Sequence, residues 1–221
     1  MEITRFLILL FCLLNINSMK EKEQPESKES KNLQADKYLV LVNKKHKLPD
    51  KWLDRIQLVN ATNVLGRNFQ VERMALRYFK ALRASLLKEG INIELDSTYR
   101  SVEEQQRIWD EFEKIHGKDY CEKYVATPGF SEHHTGLAID ICLIKDGRVI
   151  DDNDEMIAEV EIFKKIHKKL PDYGFILRFM KGKENITGYS YEPWHFRYVG
   201  VQYSKIISKR NQTLEEYLGD I

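Results

Sequence analysis

Nine consecutive residues, Gly136 to Ile144, are apolar or small except for one carboxylate, Asp140. The stretch reads as a strand, with Leu137, Ile139, Ile141 and Leu143 on one face and Ala138, Asp140 and Cys142 on the other. A charged group on an inner strand face needs a partner, because leaving it unpaired away from water is costly. Other polar groups must therefore converge on Asp140, and this demand constrains the fold more than any other feature of the chain.

Two segments can meet the demand. Ser131-Glu-His-His-Thr-Gly136 leads directly into the strand, and Glu192-Pro-Trp-His-Phe-Arg-Tyr198 contains a separate predicted strand. His133, Asp140 and His195 together form a nitrogen- and oxygen-donor set that suits Zn²⁺, with a fourth position left for water. Bound zinc lowers the pKa of such a water to ~7. Glu192 lies three residues before His195, and the intervening Pro193 bends the chain so that the carboxylate can stand beside that water as a general base. His133 and His134 are adjacent and point different ways, so His134 is read as the bystander. His195 alone, between two aromatic residues, reads as an ordinary half-buried histidine; the set of four residues favours a metal site. A purely structural zinc domain is disfavoured, because structural sites fill all four positions with protein ligands, mostly cysteine.

The chain has 221 residues, with 35 Lys and Arg against 34 Asp and Glu. This balance offers no argument for a nucleic-acid partner. Residues 1–18 carry an unbroken apolar run from Phe6 to Leu14, short for a membrane span and suited to a signal peptide or N-terminal anchor. Residues 19–36, rich in Lys, Glu, Ser and Gln, read as a disordered linker. Export to the cell envelope is expected, with membrane contact only through the N-terminal segment. The catalytic domain is expected over 37–221, acting as a monomer. Cys121 and Cys142 are the cysteines of that domain; a disulfide is possible, and two buried thiols are at least as consistent with the pattern.

Along the domain, Tyr38–Val42 reads as a short strand and Asn43–Leu65 as irregular. Asn68 is placed to cap a helix from Phe69 to Lys88, which Gly90 stops. Ile91–Leu95 alternates as a strand. Ser101 and Glu104 have capping-box spacing and start a helix to about His116. Thr127-Pro-Gly129 is a loop and Asp146-Gly147 a turn. A helix is predicted over Met156–Leu170, strands over Phe175–Phe179 and Trp194–Val199, and a last helix over Val201–Leu218. The expected fold class is α+β, with helices packed on a small, mainly antiparallel sheet.

Ser131-x-His133-x-x-Gly136-x-Ala138-x-Asp140 with Glu192-Pro-Trp-His195 resembles the VanY-type D-alanyl-D-alanine carboxypeptidases. These are a branch of the zinc D,D- and L,D-carboxypeptidases of bacterial cell walls. The resemblance spans about Tyr38 to Val199 and includes Ser97-Thr-Tyr-Arg100-Ser101. It implies a Hedgehog/D-Ala-D-Ala peptidase-like fold and one zinc ion held at His133, Asp140 and His195. It also implies Glu192 as base and peptidoglycan stem peptides as substrate. Arg100 matches an arginine that stabilises the oxyanion or holds a substrate carboxylate. Gln105 and Ser131 match substrate-contacting positions, with loop capping an equal role for Ser131. Trp194 and Tyr198 line the pocket or belong to the core. Thr98 stands where the family often has glycine and His134 where it often has glutamine, departures that touch no ligand. An L,D-carboxypeptidase acting on tetrapeptide stems is the alternative within the same chemistry. A non-catalytic wall-binding module is a further alternative, and the intact ligands and base argue against it.

Overall fold

The computed structural model describes residues 37–220, so the predicted leader and linker lie outside the described residues. The expected α+β architecture is present. A five-stranded antiparallel sheet runs β3 (Asn92–Ser97), β4 (Ala138–Lys145), β7 (His195–Tyr198), β6 (Phe175–Leu177), with β5 (Arg148–Ile150) paired to β4. A two-stranded ribbon, β1 (Leu58–Thr62) and β2 (Asn68–Glu72), precedes the sheet.

The helices are α1 (Arg73–Leu87), α2 (Val102–His116), α3 (Lys118–Tyr124), α4 (Asn153–Ala158), α5 (Val160–Lys169), α6 (Glu184–Thr187), α7 (Val201–Lys209) and α8 (Leu214–Leu218). Single 3-10 turns occupy Trp52–Arg55, Glu132–Thr135 and Leu170–Tyr173. Among the described residues no helix is long and apolar enough to cross a membrane.

The core lies between one face of the sheet and α1 and α5. Leu82 and Leu86 from α1, Ile166 from α5, and Ile93, Leu137, Ile139 and Phe196 from the sheet are fully buried within it. Each such side chain contributes about 1.5–3 kcal/mol of transfer free energy. A smaller apolar cluster of Ile176, Val199, Ile207 and Leu214, against which Leu39 and Leu41 pack, ties α7 and α8 to the sheet.

Several expected boundaries are corrected. Tyr38–Val42 is not a strand. The carbonyls of Tyr38 and Val40 are taken by the Arg197 guanidinium, at 3.1 and 2.6 Å, rather than by a neighbouring strand. Asn43–Leu65 is less irregular than expected, since it contains a 3-10 turn and β1. Residues 68–72 form β2 instead of the first turn of a helix, and Glu72 replaces Asn68 as the cap, accepting from the backbone N–H groups of Met74 and Ala75. The apolar spacing of α1 runs back through Val71, and this hid the alternation that pairs β2 with β1.

The helix expected over 156–170 is two, α4 and α5, separated at Glu159. It starts earlier because the Asp152 carboxylate caps Asp154 and Glu155. Pro171 sits inside the following 3-10 turn. The last predicted helix is also two. Asn211 takes a left-handed φ of 51°, and Thr213 with Glu216 forms a capping box that starts α8. Cys121 and Cys142 are buried free thiols.

Candidate metal centre

Strand register places the first elements of the site. Asp140 on β4 is paired with Ser97 on β3 and with His195 on β7, so these residues sit side by side across three strands. His133 arrives from the 3-10 turn Glu132–Thr135. Ser131 caps that turn by accepting the His133 backbone N–H at 3.3 Å. Gly136 ends it with a φ of +69°, where an added Cβ would lie 2.7 Å from the Leu58 side chain. The tight exit returns the chain into β4 within reach of Asp140.

His133 Nε2 lies 3.1 Å from Asp140 Oδ2, and His195 Nδ1 lies 2.8 Å from Asp140 Oδ1. One ligand atom from each of His133, Asp140 and His195 falls within 4.8 Å of the others. The outer nitrogens are committed. His133 Nδ1 donates to the Thr98 carbonyl at 2.7 Å, and His195 Nε2 donates to Glu132 Oε2 at 3.2 Å. Each ring is thereby anchored by its outer nitrogen, with its inner nitrogen facing the Asp140 carboxylate. Asp140 Oδ1 has no hydrogen-bond partner although it is buried and His195 is close. Two imidazole nitrogens and a carboxylate facing one point become a donor set for a cation once the cation displaces the protons between them, with the outer contacts that orient metal-bound histidines.

Without a cation the cluster is held together by ion pairing. Burial opposes charging of His195, but the Asp140 and Glu132 carboxylates outweigh it and push its pKa up to about 10. Burial would likewise raise Asp140, yet the two imidazoles hold its carboxyl well below the usual range. His133 is held below its ordinary value, chiefly by burial. Glu192 stands at the rim, its Oε2 3.8 Å from His195 Nδ1. Burial, with Asp140 and Glu132 nearby, pushes its carboxyl up to about 7. A carboxylate with that value suits proton transfer at neutral pH.

Arg100 lies beside the cluster. Its backbone N–H donates to the His133 carbonyl at 3.2 Å, and its guanidinium donates to Ser97 Oγ at 3.0 Å and to Gln105 Oε1 at 2.9 Å. Gln105 is buried on α2 and spends its amide on Arg100 and on the Ala126 carbonyl. In this structure it orients the arginine. The guanidinium keeps further donors for a ligand. It lines a cleft of about 760 Å³ that extends along the β1–β2 ribbon past Asn60, Asn68 and Gln70; the three candidate ligands do not line it. Trp194 is half-buried, packs against the core, and accepts the Ile141 N–H on its carbonyl. Tyr198 is buried in the core.

His134 takes no part in the ligand cluster. It spans the loops, donating from Nδ1 to the Arg100 carbonyl at 2.7 Å and accepting the Gly129 N–H on Nε2 at 3.0 Å. The other departure, Thr98, meets His133 through its backbone carbonyl, which any residue supplies.

Sequence reasoning missed Glu132. Its carboxylate bonds His195, Arg178 Nε at 2.6 Å and Arg197 Nη1 at 2.8 Å, all of them buried. Burial would raise its pKa, but the two guanidiniums hold it well below the usual range. The available signal was Arg197 itself, a lone cation within the otherwise aromatic His195-Phe-Arg-Tyr198 strand.

Comparison with known proteins identifies the family. The family profile described as "VanY: D-alanyl-D-alanine carboxypeptidase" matches residues 68–201. The chain is 37% identical over 183 residues to the bifunctional D-Ala-D-Ala dipeptidase and D-Ala-D-Ala carboxypeptidase VanXYC of Enterococcus gallinarum, covering 75% of this chain and 94% of that protein. The solved LdcB LD-carboxypeptidase superposes with a TM-score of 0.73 at 34% identity, covering 85% of this chain and 88% of the other. A mutant of the vancomycin resistance D,D-pentapeptidase VanY from the VanB-type cassette, in complex with Zn(II), superposes with a TM-score of 0.67 at 31% identity, covering 82% and 99%. The chain belongs to the VanY family of D-alanyl-D-alanine carboxypeptidases.

Proposed function

We propose that this protein is a zinc carboxypeptidase that removes the C-terminal D-alanine from peptidoglycan stem peptides ending in D-Ala-D-Ala. The observation that carries the reading is the convergence of His133 Nε2, the Asp140 carboxylate and His195 Nδ1, beside a Glu192 carboxyl whose pKa is raised to about 7. His133, Asp140 and His195 would hold one zinc ion. When bound, zinc supplies a Lewis acid at the scissile carbonyl and an acidified water.

The chain's own groups do the rest. Glu192 takes the proton from the attacking water and returns it to the leaving amine of D-alanine. The Arg100 guanidinium, fixed by Ser97 and Gln105, offers a planar fork to the substrate's terminal carboxylate or to the developing oxyanion. Ser131 and Trp194 border the turn and strand that present the ligands, and they are proposed as the nearest peptide contacts. One chain contributes every residue of the site, so a monomer suffices. The substrate lies in the cell envelope, which fits the leader-like 1–18 segment and the polar linker.

The likeness to an LD-carboxypeptidase, with the higher TM-score of the two structures compared above, favours a second reading: the same site acting on tetrapeptide stems. Incubation of the zinc-loaded protein with pentapeptide and tetrapeptide stems, with products weighed by mass spectrometry, separates the two. Loss of one alanine from the pentapeptide alone is expected. Cleavage of the tetrapeptide alone would transfer the assignment to L,D activity, and no cleavage of either would refute the proposal.

A further inference from the structure

Glu132 spends both carboxylate oxygens inside the protein. Oε2 receives the His195 Nε2–H, while Oε1 receives Arg178 Nε and Arg197 Nη1. Arg178 is itself held from behind. Its two terminal nitrogens grip Glu215 in a fork, Nη1 to Oε2 at 2.9 Å and Nη2 to Oε1 at 2.6 Å. Asn43 donates to the same Glu215 Oε1 at 3.0 Å. Arg178 and Arg197 are fully buried, Glu215 is 1% exposed and Glu132 5%. Two carboxylates and two guanidiniums cancel, so the group adds no net charge beneath the metal centre.

This group is a costly way to fill a core. A buried ion network is commonly no more stabilising than apolar residues of the same volume. One line of its bonds, however, has a direction: it runs from Asn43 through Glu215, Arg178 and Glu132 to the outer nitrogen of His195. Glu215 on α8 and Asn43 lie outside the 68–201 stretch that the family profile covers.

We infer that Glu215 is a positioning residue for the metal centre, acting on His195 through Arg178 and Glu132. The inference rests on the assignment of His195 as a zinc ligand. Glu215 keeps the Arg178 fork facing away from Glu132, so that only Nε reaches Glu132 Oε1 and Oε2 stays with His195. Without that acceptor the Arg178 fork can close on both oxygens of Glu132 and displace the imidazole N–H. Loss of the Glu215 charge also leaves a net buried cation near the metal, where the low dielectric enlarges the repulsion. The segment around Asn43 and α8 thereby becomes part of the site's support.

The test uses the full chain and measures zinc affinity by competition with a chromophoric chelator. Glu215→Gln keeps the shape and removes the charge. Its zinc Kd is expected to rise roughly tenfold, the lower end for outer-sphere partners of a metal ligand. Leu214→Ala is the control, because Leu214 is buried in the same helix but belongs to the separate apolar cluster. It lowers thermal stability and is expected to keep the wild-type Kd.

Glu215→Asp, with charge retained and reach shortened, gives a smaller rise and decides the matter should Glu215→Gln not fold. A folded Glu215→Gln or Glu215→Asp with the wild-type Kd would overturn the inference. So would a Leu214→Ala protein that loses as much affinity as Glu215→Gln. Failure of the wild type to bind one zinc, or a His195→Ala protein that binds it normally, would instead sink the ligand assignment, and the inference with it.

Discussion

Replacing Glu192 by glutamine separates the two roles that burial gives this residue. Its carboxyl is pushed up to about 7 from an ordinary value of 4.5, first by burial and then by the neighbouring carboxylates Asp140 and Glu132. At 1.36 kcal/mol per pH unit, that interval corresponds to about 3 kcal/mol of unfavourable ionisation in the folded, metal-free protein. The side chain is 29% exposed. Solvent screening therefore reduces the figure to roughly 1–3 kcal/mol.

The sign follows from linkage. Between pH 4.5 and 7 the folded state holds a proton that the unfolded chain has released. The wild type therefore loses stability as pH rises through that window, and the loss is complete above about 7. Glu192→Gln carries no such ionisation. Metal-free Glu192→Gln is expected to be more stable than the metal-free wild type at pH 8 by roughly 1–3 kcal/mol, with the difference vanishing near pH 4.5.

Urea unfolding at pH 4.5, 6, 7 and 8 measures this directly. Bound zinc should shrink the gap, since a cation favours the ionised carboxylate. The same variant should retain zinc and lose hydrolysis by about 10²–10⁴-fold, the usual worth of a positioned general base. Equal stability of the two proteins at pH 8, or a wild-type advantage that grows with pH, would refute the electrostatic reasoning. Full hydrolysis by Glu192→Gln would refute the base assignment.

Other outcomes follow from the same contacts. Arg100→Lys keeps the charge but cannot span Ser97 and Gln105 while presenting a fork. We expect kcat/KM on a stem pentapeptide to fall by about 10–100-fold with zinc content unchanged, since one charged bidentate contact is worth about 1.5–3 kcal/mol. Glu132→Gln leaves Arg178 and Arg197 without their shared carboxylate and should destabilise the protein by about 3–5 kcal/mol in denaturant unfolding, with weaker zinc binding. Asp140→Ala should abolish stoichiometric zinc binding, measured by metal analysis after dialysis. Retention of one tightly held zinc would exclude Asp140 as a ligand.

Much of the fold was legible because local periodicity dictates it. The α2 start at Ser101 and the β3–β4 alternation follow directly from residue spacing, and the observed elements match within a few residues. The errors fell where two local signals competed. Val71 satisfies the apolar spacing of α1 and the alternation of β2 at once, and only pairing with β1 decides between them. In the C-terminal segment, apolar spacing runs on from α7 while Thr213 and Glu216 restart the helix. Tyr38–Val42 has the composition of a strand but meets a guanidinium in place of a partner strand.

The sequence by itself determined which residues can do chemistry. An unpaired carboxylate in an apolar strand, two histidines and a glutamate at short spacing already name the candidate ligands and base, because the residue type carries the donor atom. Tertiary structure alone decided how those atoms are oriented. His195 is turned by Glu132, 63 residues away; Glu132 is held by Arg178 and Arg197; and Arg178 is held by Glu215, itself bonded to Asn43 across 172 residues. No periodicity links these positions. A buried polar group is satisfied by whatever the packed chain brings within about 3 Å, and that proximity exists only after the fold has formed.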